Sequence, residues 1–379
     1  MQSQAFGNLG RRSGIITDAE AKDATSARPI GVQSLSSEEK ESTKAVGFKM
    51  PLPIEDPNSL LDINLSQPKA TGRDLVIQVR AVSVNPVDVK VRASTGPDGG
   101  EYKILGYDAA GVVTQAGSET VLFKPGDEVY YAGSIARPGT NAEYHLVDER
   151  IVGKKPKNLS FAQAAALPLT TITAWELLFD RLGVRIGKPV NAGSILIIGG
   201  AGGVGSILAQ LACKLTGLNI ISTVSTPESK EWSISLGTNY VIDHRKPLKE
   251  QMNAIGIPEV EYIAGLTATD IHYPALVEVL APQGKFGLID DPKSLDANPL
   301  KRKAASLHWE FMFARSLYGT PDMIAQHDLL NEVSALVDAG VIRTTLVNAF
   351  GLINADNLRN AHALVESGRS RGKVVLEGF

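Results

Sequence analysis

The sequence predicts an α/β protein in which a small, barrel-like β domain is joined to an open, doubly wound parallel sheet. Three observations carry that expectation. Ser194 to Gly205 (SILIIGGAGGVG) reads as a buried strand, a glycine turn and the opening of a helix. Short apolar runs alternate with helical stretches through the middle of the chain, the pattern of a parallel sheet. Before Pro168, by contrast, short strands follow one another across Gly/Pro turns, which suits a compact barrel better than a βα repeat.

Composition sets the outer bounds. At 379 residues, 43% hydrophobic and 21% charged, the chain is long enough for two domains. A net charge of −3 without a basic block argues against nucleic acid as a partner. No apolar run approaches the roughly 20 residues that span a bilayer, so no membrane association is expected. The single cysteine, Cys213, rules out an internal disulfide framework and a cysteine-rich zinc site, and its helical position suits packing.

Taken in order, residues 1–43 are rich in Ser, Ala, Gly and charge, with Phe6 as their one aromatic, and predict a disordered leader. The first 17 residues carry Arg11 and Arg12 and no acid, as organelle transit peptides do. Asp18, Glu20 and Asp23 break that pattern, so a cytoplasmic protein is expected over an imported one. From Lys44 to Pro168 the signals are β. Leu75, Ile77, Val79 and Ala81 alternate with their neighbours up to the turn Asn85-Pro86. Gly111-Val112-Val113, Glu128 to Tyr131 after the turn at Lys124-Pro125-Gly126-Asp127, and one or two strands within Asn141–Val152 complete this part. These residues, 44–168, with the return segment 320–379, are expected to form the barrel-like catalytic domain, and 169–319 the dinucleotide-binding domain.

A helix is expected over Thr173–Leu182, then the glycine unit. Gly200, Gly202 and Gly205 give the G-x-G-x-x-G spacing, and Val204, Ile207, Leu208, Leu211, Ala212 and Leu215 recur at helical intervals up to Gly217. The chemistry needs glycine for a tight turn, for backbone approach to a pyrophosphate and for close packing of helix on strand. Unpaired N–H groups at the helix start then hold phosphate charge. Gly200, Ala201, Gly202, Gly203, Val204 and Gly205 are therefore candidate cofactor residues of a Rossmann domain. At the end of the next strand, Leu218–Val224, an Asp or Glu would grip an NAD ribose. Here stand Ser225 and Thr226, with no acid before Glu228, and Lys230 lies one turn into the following helix. Two small hydroxyls leave room for a 2′-phosphate that Lys230 reaches, so NADPH is expected over NADH. Further strands follow at Tyr240–Ile242, Tyr262–Ala264, Phe286–Ile289 and Ala304–Phe313. Helices at Met323–Ala339 and Asn354–Gly368 precede a closing strand, Lys373–Leu376. Ligands bind at strand ends in such sheets, which points to Leu266, Thr267, Leu288 and Ile289 as backbone contacts. Two of the three aromatics Trp309, Phe311 and Phe313 are expected in the core.

Several motifs carry a family resemblance. They are Asn85-Pro86-Val87-Asp88, Gly106-Tyr107-Asp108-Ala109-Ala110-Gly111-Val112-Val113, Phe123 to Val129, Ala164 to Thr170, the Gly199–Gly205 loop and Gly372-Lys373-Val374-Val375. Together, over Lys44–Phe379, the chain resembles the medium-chain dehydrogenase/reductase superfamily, within it the zinc-independent quinone oxidoreductases and alkenal reductases, some of them called zinc-type alcohol dehydrogenase-like proteins. The resemblance implies a GroES-like β-barrel catalytic domain, an NADPH site that includes Thr170 and Thr173 at the domain crossover, and a homodimer paired through the edge of the Rossmann sheet. From its position near the chain end, Lys373 is expected to reach a phosphate. Zinc-dependent members place Cys where this chain has Asn85 and Gly-His-Glu where it has Gly106-Tyr107-Asp108. A catalytic zinc wants three Cys, His or acid ligands, and the six histidines lack ligand spacing, so no metal is expected.

Without a Lewis acid, reduction of a quinone or of the C=C of an α,β-unsaturated carbonyl demands less than alcohol oxidation. Hydride reaches an electron-poor carbon, and a few hydrogen-bond donors stabilise the charge that gathers on a distant oxygen. The resemblance gives these roles to Asn85 as amide donor, Lys90 as cation and Asp88 as the group that orients Lys90 or a water, for an electron-poor small-molecule substrate. Each also has a plain structural reading: a turn residue, a solvated lysine, a backbone cap. Two other functions remain open at this stage. One is an NADPH-dependent carbonyl or pathway-specific trans-acting enoyl reductase; the other is a non-catalytic NADPH-binding protein like some lens crystallins.

Overall fold

The structure, a computed structural model, describes residues 42–97, 99–189 and 191–379. The expected leader and its transit-like start lie outside the described residues up to 41. Ser42 and Thr43, placed in that leader by sequence, open the first strand.

In chain order the first half runs β1 (Ser42–Phe48), β2 (Leu61–Ser66), β3 (Asp74–Val84), α1 (Pro86–Ser94), β4 (Lys103–Ile104), β5 (Ala109–Ala116), β6 (Glu128–Tyr131), β7 (Tyr144–Asp148), β8 (Val152–Lys154), α2 (Phe161–Ala165) and α3 (Pro168–Trp175). The parallel unit follows as β9 (Ser194–Ile198), α4 (Gly203–Leu215), β10 (Asn219–Thr223), α5 (Pro227–Ser235), β11 (Tyr240–Ile242), α6 (Leu248–Ala254), β12 (Val260–Gly265), α7 (Thr269–Val279), β13 (Leu280–Leu288), α8 (Asn298–Lys301) and β14 (Ser306–Trp309). The chain closes with α9 (Ala314–Tyr318), α10 (Ala325–Asp338), β15 (Leu346–Ala349), α11 (Ala355–Glu366) and β16 (Lys373–Glu377).

Among the described residues β9 to β14 form one parallel sheet in the order β11-β10-β9-β12-β13-β14. That is the doubly wound order of a Rossmann fold, and it reverses between β9 and β12, where a ligand crevice opens. Side chains of β9 alternate between two cores: Ile195 and Ile197 pack with α4 and the barrel side, Leu196 and Ile198 with β12, β13 and α7. A strand buried on both faces must read as an unbroken apolar run, and this one does.

The remaining strands form the GroES-like part, one sheet ordered β15-β16-β3-β5-β6-β8 with β7 on β3, and a small sheet β2-β1-β4. After the parallel unit the chain returns here: β16 lies antiparallel to β3, with Val374 opposite Val84. The return brings the last strand to the end of β3, beside the Asn85 motif.

Three elements differ from the sequence reading. Asn85-Pro86 does not merely end a strand; it opens α1, with Pro86 at the first helical position, where its missing N–H costs nothing. The helix expected over Thr173–Leu182 begins earlier, at Pro168, and changes at Glu176 to a π-helical turn through Arg181, with Leu182 N bonded to Leu177 O at 2.9 Å. The expected strand Ala304–Phe313 stops at Trp309, because Phe311 to Ala314 turn into α9.

Candidate active site

The glycine turn sits at the switch point of the parallel sheet. Gly205 lies inside α4, and a Cβ added there would meet Gly199 O at 2.4 Å and Gly200 Cα at 2.7 Å, so only glycine allows the helix this close to the strand. At Gly202, the N-cap, the nearest atom would be 3.4 Å away. Among the described residues no side chain caps α4, which leaves the first N–H groups of that helix for an anion. The loop is also tied from outside: Gly372 N donates to Ala201 O at 2.9 Å, so the return segment pins it. A cradle that a Cβ would fill, at an uncapped helix start, fits a dinucleotide pyrophosphate.

From this loop a cavity of about 260 Å³ runs between the two sheets. Thr170, Thr173, Gly203, Val204, Gly205, Thr267, Ile289, Asn85, Lys90 and Lys373 all line it, so the fold gathers much of the expected site in one place. Gly200, Ala201, Gly202, Asp88, Leu288, Ser225, Thr226 and Lys230 are not among its lining residues. The hydroxyls of Thr170 and Thr173 donate to Leu167 O (3.1 Å) and Leu169 O (2.8 Å), leaving their oxygens to accept from a ligand. Leu288 is fully buried and its carbonyl accepts from Glu310 N at 3.0 Å, so its expected backbone contact to a cofactor is already used by the sheet. Ile289, one residue on, reaches the cavity.

The Asn85 motif is wired differently from the sequence expectation. Asp88 is buried; its Oδ2 accepts from Asn85 N (2.8 Å) and its Oδ1 from Gly106 N (2.9 Å). It therefore ties the start of α1 to the β4–β5 connection and does not orient Lys90. Burial raises its pKa to about 7 against the pull of those two N–H bonds. Asn85 is equally occupied: Nδ2 donates to Asp108 Oδ2 at 2.8 Å, and Oδ1 accepts from Lys373 Nζ. Its amide is not a free donor for substrate. Lys373 does not reach toward a phosphate; its ammonium is buried and pairs with Asp108 Oδ2 at 3.0 Å. Burial raises the Asp108 carboxyl, opposed first by the Lys373 charge, and Asp108 Oδ1 accepts from Leu169 N at 2.7 Å at the start of α3. Lys90 instead stands at the mouth of the cavity, half exposed, and pairs with Asp291 from beyond β13 at 2.7 Å.

At the end of β10, Thr226 caps α5, accepting from Ser229 N at 3.2 Å, which engages one of the two small hydroxyls expected to leave room for a 2′-phosphate. Ser225 and the exposed Lys230 are open on this side. Two cations that sequence reasoning did not assign join them. Arg245 Nη2 donates to Ser225 O at 2.9 Å while its guanidinium holds Asp243. Arg371 lies over the Trp232 ring at 5.9 Å and contributes to the lowered pKa of Glu228, behind hydrogen bonds from that residue's own N–H and from Thr226. Arg245 lies just past the end of β11, three residues after Ile242, so the strand-end rule would have found it. Arg371 carries no such local signal.

The outer wall of the cavity is apolar: Leu266, Phe311, Met312 and Phe313. Phe313 is buried edge-on against Tyr107 at 5.3 Å, and Phe311 is half exposed against Phe313 at 5.6 Å. Trp309 is 53% exposed and lies outside, so one aromatic of the three is core, not two.

The donor set at the Asn85 motif does not suit zinc. An amide, a phenol raised by burial and one carboxylate replace the thiolate, imidazole and acid of a metal site, and a lysine ammonium stands among them. Among the described residues no three His, Cys, Asp or Glu come together as metal ligands.

Known proteins bear on the same regions. The alcohol dehydrogenase GroES-like domain profile matches residues 71–157, and the zinc-binding dehydrogenase profile matches residues 236–376. The chain is similar to a zinc-type alcohol dehydrogenase-like protein of Staphylococcus epidermidis, 39% identical over 335 residues, 88% of this chain and 99% of that one. It is 41% identical over 330 residues to 2-methylene-furan-3-one reductase of Solanum lycopersicum, 83% of this chain and 74% of that one. A crystal structure from Rhizobium etli CFN 42, named as a zinc-dependent alcohol dehydrogenase, is 58% identical with a TM-score of 0.86, over 89% of this chain and 99% of that one.

Proposed function

We propose, from the premise that this chain belongs to the medium-chain dehydrogenase/reductase superfamily of oxidoreductases, that it is a zinc-independent, NADPH-dependent reductase of quinones or of the C=C of α,β-unsaturated carbonyls. The observation that carries the reading is an apolar cavity running from the glycine turn to the Asn85 motif, whose inner end holds a buried lysine rather than metal ligands. The similarity to an enone reductase from tomato supports it.

Bound along the sheet ends, the cofactor supplies hydride for an electron-poor carbon. The chain's own contribution starts with the uncapped start of α4, which holds pyrophosphate charge. Ser225, Lys230, Arg245 and Arg371 favour a 2′-phosphate, since no acid stands at the end of β10 to repel it. Leu266, Phe311, Met312 and Phe313 exclude water and receive an apolar acceptor. Of the two lysines lining the cavity, Lys373 has its donors engaged inside the protein, so Lys90 is the cation available to charge developing on a substrate oxygen. Lys90→Met should lower kcat by about 100-fold with little change in the melting temperature, because the Lys90–Asp291 pair is exposed and adds little stability.

The test is oxidation of NADPH and NADH, followed by absorbance, against a quinone, a short alkenal, an enone, a saturated aldehyde and no acceptor. Turnover of the unsaturated acceptors with NADPH, undiminished by a chelator, is the expected result. Turnover of the saturated aldehyde alone, or loss of activity with one bound zinc per chain, overturns the proposal.

A further inference from the structure

The buried Lys373 ammonium meets three oxygens supplied by two separate stretches of chain, Val84-Asn85 and Asp108. It donates to Val84 O at 3.1 Å at the end of β3 and to Asn85 Oδ1 at the cap of α1, and it pairs with Asp108 Oδ2 at 3.0 Å at the entry to β5. Those contacts use all three of its N–H donors. Asp108 in turn holds Asn85 Nδ2 and Leu169 N, the first turn of α3. Lys373 comes from β16, after the whole parallel unit, and its Cδ is 3.0 Å from where a Cβ on Gly203 would lie. One side chain thus joins the barrel, the caps of two helices that line the cavity and the flank of the glycine turn. All four residues are buried.

We propose that Lys373 is a positioning residue: a built-in cation whose ammonium organises the inner end of the cavity by filling an oxygen cage made by Val84, Asn85 and Asp108. The cage calls for a charge with N–H donors, because Asp108 is buried and paired with the Lys373 ammonium, and Asn85 is held in one amide orientation by donating to Asp108 and accepting from Lys373. The role goes beyond the substrate reading above and holds whichever acceptor is used. A shorter, neutral side chain would leave the cage open toward the cavity, where a small free ammonium ion can enter and restore the missing contacts.

The experiment is chemical rescue of Lys373→Ala in the full chain, which removes the equivalent of n-propylammonium. The variant should melt about 10 °C lower than the wild type and, if turnover is measurable, lose about 100-fold in kcat from the displaced cavity end. n-Propylammonium should raise both the melting temperature and turnover, whereas tetramethylammonium at equal concentration, which has charge but no N–H donor, should raise neither. A variant that melts like the wild type, or that responds equally to the two ions or to neither, overturns the proposal. If Lys373→Ala does not fold, the cycle of Lys373→Met, Asp108→Asn and their double variant decides. The double variant should recover part of the stability lost in Lys373→Met, since both charges are gone. Losses that simply add overturn the proposal. The melting arms need no acceptor, so a failure of the proposed reductase activity leaves them readable.

Discussion

At the scale of single residues, the Asn85 motif illustrates how burial redirects polar side chains. Asp88 and Asn85 look available in sequence, yet each has its hydrogen-bonding atoms engaged by the protein itself. The raised pKa of Asp88, about 7 against an ordinary 3.8, has a direct consequence for stability. The fold prefers its protonated form, so the contribution of this group is fully present below its unfolded pKa and is lost as pH rises through about 7. Asp88→Asn should therefore flatten the fall in melting temperature between about pH 4 and pH 7, and should itself cost about 1–3 kcal/mol, since one amide oxygen cannot accept both N–H groups. A variant as pH-dependent as the wild type would remove Asp88 from this account. Ser225 is the residue on which cofactor choice rests. Ser225→Asp should swing preference from NADPH toward NADH by about tenfold or more, because a carboxylate repels a 2′-phosphate and accepts from a ribose hydroxyl. An unchanged ratio of the two kcat/KM values would sink the NADPH argument. Ser225 was legible in sequence by its place at a strand end. Arg371 was not, because 146 residues separate it from Ser225 and only the return of the chain brings it near α5.

At the scale of elements, the β9–glycine turn–α4 unit was legible almost completely. Its strand is buried on both faces, its helix carries apolar residues at helical spacing, and its glycines follow from local contact distances. Those distances separate two glycines that look alike in sequence. Gly205→Ala forces a Cβ onto the backbone of Gly199 and Gly200, and should cost about 3 kcal/mol with loss of cofactor binding. Gly202→Ala meets nothing closer than 3.4 Å and should keep the wild-type melting temperature within a few degrees, which thermal unfolding of the two variants checks. Equal destabilisation would mean that loop conformation, not helix approach, sets the glycine requirement. The elements that sequence missed are short or irregular. Helix α1 spans nine residues, and its buried residues are Asp88 and Arg92, so no apolar stripe announces it. The π-helical turn after α3 keeps an apolar pattern close to that of an α-helix, and its i→i+5 bonds leave little trace in periodicity.

At the scale of the molecule, two sheets of different character face one cavity, and the last strand returns to the barrel to complete it. Among the described residues β14 is an end strand of the parallel sheet, paired only with β13; it is four residues long and its last residue, Trp309, is exposed. A second copy joined along this edge would remove an exposed strand edge and cover that tryptophan. The expected dimer is checked by light scattering after size exclusion: Trp309→Glu should shift a dimeric wild type toward monomer, and a monomeric wild type overturns the expectation. The cavity itself is a tertiary product. Its lining comes from β3, α1, α3, the glycine turn, the ends of β12 and β13, the segment after β14 and the return strand.

By itself the sequence determined the parallel sheet with its dinucleotide turn, the β character of the first part and the lack of zinc-ligand spacing at the Asn85 motif. Those features depend on neighbours within one or two turns of chain, where side-chain period, glycine spacing and residue type act directly. Only the tertiary structure decided what the polar residues do. Whether Asn85, Asp88 or Lys373 faces a ligand or another part of the protein depends on partners such as Asp108 and Gly106, and Lys373 lies 288 residues from Asn85. A buried charge must find its counter-charge and hydrogen bonds wherever the folded chain brings them, and local sequence does not encode that meeting.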